Sequence, residues 1–358
     1  MTGPGAIGAS TTVPSSDYAE TYDLNRDGVV TQEEVQRRDL AGTWNTASLF
    51  PFLHTGPRLL HVDEGWTPQG QGYDAERHEL LTTYYTDTND NDVGDTVRLS
   101  VRDRYTGVEA RDVVLLGSDK PGDAEHGNPA HGGGVATDGE FVYVADTTEV
   151  YVYRRSDIDN AAWNPATSRY EVEATRVMEM PEVPADLRGD GGLVSDKTGK
   201  SIASYITVHD GKAYVGSYSK NGDGMNGAVY RFDIDPETGA FSNPTGPVKA
   251  PDQAQGVTVV DDGKGLLFSS NNGDYSLVYQ PVTNEEGDFS ASYDDRKILD
   301  DSQLIDSYVE EINVIDDELW VTYESAAKKP DGDYKFDVDD RHRSVQRIPI
   351  EDIPGFPG

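Results

Sequence analysis

The sequence predicts an all-β fold, a ring of five four-stranded units, with a small helix–loop–helix attached at its N-terminus. Three observations predict it. From about residue 67 one pattern recurs five times: a Gly- or Gln-rich lead, an apolar strand, an Asp-containing turn, and a second apolar and aromatic strand. The turn aspartates Asp74, Asp138, Asp210, Asp261 and Asp316 lie 64, 72, 51 and 55 residues apart. The composition, 20 Tyr, 37 Gly and 19 Pro in 358 residues with few long apolar runs, suits many short strands joined by turns.

Unit by unit the pattern reads PQGQGYDAERHELLTTYYT (68–86), HGGGVATDGEFVYVADT (131–147), ASYITVHDGKAYVGSYS (203–219), AQGVTVVDDGKGLLFSS (254–270) and VEEINVIDDELWVTYES (309–325). A third strand follows in 96–107, 149–158, 227–239 and 275–282, and a weaker fourth in 110–116 and 174–180. Four short strands per unit, with DG turns and period-2 alternation, describe a β-propeller blade. On these segments, residues 57–354 resemble the broad β-propeller superfamily that includes quinoprotein-like, lactonase-like and other bacterial extracellular propellers. Five units give five blades, because a sixth would need about 40 further residues in one stretch. A β-sandwich would not require five similar units.

The expected organisation is a flexible N-terminus (1–14), a helix–loop–helix (15–42), a linker (43–56) and the propeller (57–354). The blades run near 67–125, 126–195, 196–250, 251–300 and 301–354. The last unit supplies only a third strand, HRSVQRIPIEDI (342–353), while PRLLHVDEGW (57–66) is a strand without a blade. The segment 57–66 is therefore expected to close the fifth blade from outside, leaving no open sheet edge.

Residues 23–34, DLNRDGVVTQEE, match a calcium loop position by position. Asp23, Asn25 and Asp27 offer side-chain oxygens at positions 1, 3 and 5, and Gly28 permits the sharp turn at position 6. Val29 offers a carbonyl, Thr31 acts through water, and Glu34 closes the loop with two oxygens. Calcium is a hard cation that takes six to eight oxygens, which this alternation supplies. The loop resembles that of the EF-hand, with helical flanks in 15–21, behind a serine N-cap, and in 31–40. It stands without a second full loop within 60 residues, whereas EF-hands pair and the similar dockerin module needs two copies. An unpaired hand binds more weakly, which fits a calcium-rich setting outside the cell. A second acid cluster, DTNDNDVGD (87–95), places Asp87, Asn89 and Asn91 at the same spacing. Asp92 stands where Gly is required and no closing Glu follows, so it reads as a polar connection, as do 221–227 and 331–340.

The formal charge is −35, with 65 acids against 30 bases. Such a surface repels nucleic acid and anionic membranes. No segment approaches the ~20 apolar residues of a membrane span, and the first residues lack the basic and apolar regions of a signal peptide. With no cysteine, disulfide and thiolate chemistry are absent. The expected localisation is extracellular or at the cell surface.

In a propeller the innermost strands line a central channel whose mouth is a funnel. Aligning the units on their turn aspartates brings to that mouth Gln69, His131 with Gly132 and Gly133, Ser204 with Tyr205, Gln255, and Glu310 with Glu311, with His126 just upstream. Gln69, His131, Tyr205, Gln255 and Glu310 are the candidate ligand-binding residues. Glu310 or Glu311 with His131 could share a proton near neutral pH, and these are the weak catalytic candidates. HGGG (131–134) is similar to an esterase oxyanion loop, but no G-x-S-x-G accompanies it. Five-bladed glycosidases and calcium-dependent nucleotidases use carboxylate-rich funnels, whereas here one blade alone supplies glutamates at the aligned positions. Trp66, Trp163 and Trp320 do not share a blade position, as a lectin with one aromatic per blade would require. The expected function is therefore a calcium-binding extracellular propeller that binds a protein or glycan at its funnel, its EF-hand Ca2+ being structural. The alternative is a hydrolase of glycosidic or phosphoester bonds working in the funnel.

Overall fold

A computed structural model describes residues 54–86, 96–118, 127–147, 149–183, 199–219, 227–271, 276–300, 304–329, 333–336 and 341–357. The calcium loop 23–34 with its flanking helices, the cluster 87–95 and His126 lie outside the described residues.

Among those residues the chain forms a five-bladed β-propeller. The first blade is β2 (Thr67–Asp74), β3 (Glu79–Thr86), β4 (Thr96–Asp103) and β5 (Glu109–Leu116). The second is β6 (Gly134–Thr137), β7 (Phe141–Asp146), β8 (Glu149–Arg154) and, after an inserted hairpin of β9 (Ala162–Asn164) and β10 (Arg169–Glu173), β11 (Arg176–Glu179). The third is β12 (Tyr205–His209), β13 (Lys212–Gly216), β14 (Gly227–Ile234) and β15 (Phe241–Ala250). The fourth is β16 (Ala254–Val260), β17 (Gly265–Ser270), β18 (Leu277–Pro281) and, after a small hairpin of β19 (Thr283–Glu285) and β20 (Asp288–Ser290), β21 (Lys297–Asp300). The fifth is β22 (Val309–Ile315), β23 (Glu318–Tyr323) and β24 (Ser344–Pro349), closed by β1 (His54–Arg58).

The closing strand pairs antiparallel with β24, Thr55 opposite Gln346. It therefore starts earlier than the segment 57–66 expected for it and shares only residues 57 and 58 with it. Residues 62–64 instead form a single 3-10 turn, entered through His61 and left through Gly65, both in the left-handed region. The hairpin β9–β10 also departs from the repeat. Its strand β10 lies parallel to β5, Val172 opposite Leu115, so it widens the first blade although it belongs to the second in sequence.

The repeated turn aspartate has two local roles. Asp74 accepts the backbone N–H groups of Glu76 and Arg77 at 3.1 and 3.0 Å, and Asp138 those of Glu140 and Phe141 at 3.0 and 2.7 Å. Asp210, Asp261 and Asp316 instead adopt φ of 49°, 55° and 54°. Asp serves both roles, because its short polar side chain bonds nearby backbone and it tolerates the left-handed region.

Five hydrophobic clusters lie between successive blades rather than within one central core. Leu81, Val97 and Leu99 of the first blade meet Val142, Val144 and Tyr153 of the second. Between the fifth and first blades Leu80, Val62, Ile315, Trp320 and Val345 pack together. Each sheet is thus covered on both faces, which is why a strand such as β7 is buried at every residue. The fifth-to-first junction is completed by polar bonds. Thr322 Oγ1 donates to Gln71 Oε1 at 2.6 Å, Asn313 Nδ2 to the Gln71 carbonyl at 2.7 Å, and Arg104 pairs with Asp316.

Along the axis, neighbouring innermost strands approach backbone to backbone. A Cβ on Gly133 would sit 2.3 Å from the Ser204 carbonyl oxygen, and one on Gly134 2.6 Å from the Ile206 nitrogen. The glycine run of 131–134 is therefore explained by inter-blade packing, not by an oxyanion loop.

Candidate functional site

All five innermost strands begin at the same end of the ring, so residues at their starts converge. They line an open cavity of about 510 Å³ at the channel mouth. Gln69, His131, Ser204, Gln255 and Glu310 are there, as the alignment of the repeat anticipates. Tyr85, Tyr218, Glu324, Lys335 and Phe336 join them.

The floor of this funnel is a carboxyl pair. Gln255 Nε2 donates to Glu310 Oε1 at 3.1 Å, and Gln69 Nε2 approaches Glu324 Oε2 at 3.4 Å. The two carboxyl groups also hydrogen-bond each other, which requires a proton on one of them. Glu310 is raised well above the ordinary carboxyl range, first by burial and then by the charge of Glu324. Glu324 is pushed up to about 7 by burial, against the opposing pull of the Lys335 ammonium and the bonds from Glu310 and Gln69. Both carboxyl groups therefore keep their protons to higher pH than an exposed glutamate does, with Lys335 as the nearby cation.

Lys335 is itself fixed: it donates to the Tyr85 hydroxyl, and its Nζ lies 4.4 Å from the Tyr85 ring centroid. Tyr85 stacks on His131 with ring centroids 4.5 Å apart. The His131 backbone is anchored by Asp146, at the end of β7, which accepts the N–H groups of Ala130, His131 and Gly132 at 3.2, 2.6 and 2.9 Å. Burial lowers the pKa of the His131 imidazole, opposed by the Asp146 charge and aided by Lys335, which favours the neutral ring. It is a wall of the site, stacked and uncharged, and no bond between it and Glu310 or Glu311 is formed.

Two candidates do not reach the funnel. Glu311 follows Glu310 on β22, and alternation along a strand sends the two side chains to opposite sides. Its Oε1 accepts the N–H groups of Val257 and Ile312 at 3.0 and 3.3 Å, and burial raises it well above the ordinary range. Tyr205 is wholly buried, packed edge-on against Phe268 and beside Gly216. Glu311 is thus corrected from a catalytic candidate, and Tyr205 from a ligand contact, to packing inside the ring.

Sequence reasoning missed Glu324, Lys335 and Phe336. Lys335 and Phe336 stand in the segment 331–340, read as a polar connection, and Glu324 ends the second strand of its unit. The usable signal was the position of Glu324, at the same blade end as Glu310.

Elsewhere, His61, Glu109 and Asp112 bring three potential metal-ligand atoms within 4.8 Å of one another. The Arg98 guanidinium lies among them, bonded through two nitrogens to Asp112 and 3.2 Å from His61 Nδ1. A cation already fills this cluster, so its donors do not fit a calcium ion.

No family model and no curated protein matches the chain. Among solved structures it is similar to a protein provisionally named 6-phosphogluconolactonase, from Bacteroides fragilis, with a TM-score of 0.39 and 12% identity over 72% of this chain. The chain covers 64% of that protein, less than two thirds of its length. It is also similar to regucalcin, a calcium-binding protein of Agrobacterium tumefaciens, with a TM-score of 0.38 and 13% identity over 83% of this chain and 96% of the other. Neither likeness bears on the chemistry of the funnel.

Proposed function

We propose that the propeller is a binding module whose funnel takes a polyhydroxylated ligand of the glycan class. The observation that carries this reading is the Glu310–Glu324 pair, braced by Gln255 and Gln69 in an open cavity walled by Tyr85, Tyr218 and Phe336. Carboxyl and amide groups offer both donors and acceptors to ligand hydroxyls, while aromatic faces cover the apolar side of a sugar ring. The hydrolase reading is weaker for glycosidic substrates. Glycosidases hold their two carboxyl groups about 5–9.5 Å apart, and this pair is in direct hydrogen-bond contact.

The test is a glycan-array screen of the full chain, followed by titration calorimetry on whatever binds. Glu324→Gln and Gln255→Ala are each expected to weaken binding about tenfold, the loss of one charge-assisted bond. Binding that survives both variants unchanged, or a screen without any ligand, would overturn the reading. Turnover of a bound ligand, abolished in Glu310→Gln, would make the site that of a hydrolase.

We also propose that residues 23–34 bind Ca2+ through Asp23, Asn25, Asp27, Val29, Thr31 and Glu34, and that the protein works outside the cell or on its surface. The six matching loop positions support this. Calorimetry with calcium should show a sharp loss of affinity in Glu34→Gln, and equal affinity in that variant would sink the assignment.

A further inference from the structure

The hairpin β9–β10 and the outer strand β5 enclose a second cavity, of about 550 Å³, on the rim of the first blade. It lies apart from the funnel and shares no lining residue with it. The hairpin presents Trp163 directly opposite Tyr170. The two rings meet edge to face with centroids 5.2 Å apart, yet they are 53% and 47% exposed. A cross-strand aromatic pair stabilises a hairpin when it packs against something. Here both rings keep about half their surface in water at the mouth of a cavity.

The charges of this cavity are arranged unequally. Its acids are engaged: Asp112 by Arg98, Glu109 by His61 and Ser100, and Asp159 by Arg155. Two of its guanidiniums form no ion pair among the described residues, although the Arg169 charge also acts on Glu171, which Asn164 bonds. Arg111 donates only to the carbonyls of Asp159 and Ala110, at 2.7 and 2.8 Å, and Arg169 lies 6.0 Å from the Trp66 ring. In a chain of charge −35, two arginines outside any ion pair of the described residues, beside two exposed rings, form a local exception. The field of the remaining surface is screened over about 8 Å at physiological salt.

We propose that this rim cavity is a second binding site, for an acidic glycan whose sugar ring carries a carboxylate. Arg111 and Arg169 meet the carboxylate, for which a planar guanidinium is the matched partner. Trp163 and Tyr170 cover the ring face, and Asn160 and Ser168, which also line the cavity, serve its hydroxyls. An acidic peptide would satisfy the arginines but would leave the paired aromatic faces without a flat, hydroxylated surface to cover.

The probe is an oligogalacturonate, titrated calorimetrically into the full chain. Binding is expected, falling at least tenfold for the methyl-esterified oligomer and weakening as salt rises. Trp163→Ala and the double substitution Arg111→Gln/Arg169→Gln are each expected to cost about tenfold while the Tm moves little, since these side chains are exposed. Equal binding of acid and ester would overturn the proposal, as would unaltered affinity in both variants or no binding at all. Preference for a sulfated, carboxylate-free oligosaccharide would overturn the carboxylate assignment. Poly-glutamate binding as tight as oligogalacturonate, and indifferent to Trp163→Ala, would identify an acidic-peptide site instead.

Discussion

Glu311 Oε1, on the innermost strand of the fifth blade, accepts the backbone N–H of Val257 from the fourth blade at 3.0 Å. The same oxygen accepts the N–H of Ile312 on its own strand at 3.3 Å. One side chain thus ties the fourth and fifth blades together at the axis. Glu311→Ala should leave these N–H groups buried without acceptors, at about 1–3 kcal/mol each. Glu311→Gln, which keeps the acceptor oxygen, should lose less. Chemical denaturation checks this, and a wild-type midpoint in Glu311→Ala would show that the bonds carry no stability.

The close approach of innermost strands predicts that Gly134→Ala is strongly destabilising. The added methyl would meet backbone atoms of Tyr205 and Ile206 at 2.6–3.0 Å, and backbone cannot yield as a flexible side chain can. A loss of about 1–3 kcal/mol is expected. Gly127→Ala is the internal control, since none of the described residues lies within 4 Å of its Cβ position. Equal Tm values for the two variants would contradict the packing account.

The funnel pair predicts a pH dependence. Glu324 titrates at about 7 in the folded protein and at the ordinary 4.5 when unfolded, so the folded state binds the extra proton between these values. Stability is accordingly highest below pH 4.5 for this group and is lost as pH rises through 7. Glu324→Gln, uncharged at every pH, should flatten that part of the profile. The comparison of urea midpoints between pH 5 and 8 for both proteins checks it. An unchanged slope in Glu324→Gln would assign the pH dependence elsewhere.

Arg155 joins the first two blades from a buried position. Its guanidinium lies 3.3 Å from Asp74, 2.7 Å from Glu79 and 3.1 Å from Asp159. Asp74 is as buried as Arg155, so removing the cation leaves a carboxylate in low dielectric with only Arg77 beside it. Arg155→Ala should cost about 3–5 kcal/mol, as for a broken buried pair. Arg155→Ala with Asp74→Asn should recover part of this in a double-mutant cycle, and additivity of the two changes would exclude the coupling.

Much of the ring was legible because its signals are local. The aspartate at each hairpin turn reflects backbone bonds two and three residues away or its own left-handed φ, so the five units stand out in the chain. The residues that open each innermost strand, Gln69, His131, Gln255 and Glu310, could be aligned because equivalent strand starts share one end of a propeller. The hairpin 162–173 was not legible in its place, since it pairs with a blade other than its own. Alternation alone turns the adjacent Glu310 and Glu311 to opposite sides of their strand, but which of them faces the funnel is set by the packing of the fifth blade on the fourth, where Glu311 meets Val257.

The sequence by itself determined the repeat, the turns, the blade count and the acidic surface, all set by composition and by contacts within a few residues. Only the tertiary structure decided which charged groups meet. Gln69 and Glu324 are 255 residues apart, and Lys335 reaches Tyr85 across 250. Ring closure brings them together, and only then does burial of two carboxyl groups side by side shift their protonation. That proximity depends on the packing of five blades at once, and no local spacing records it.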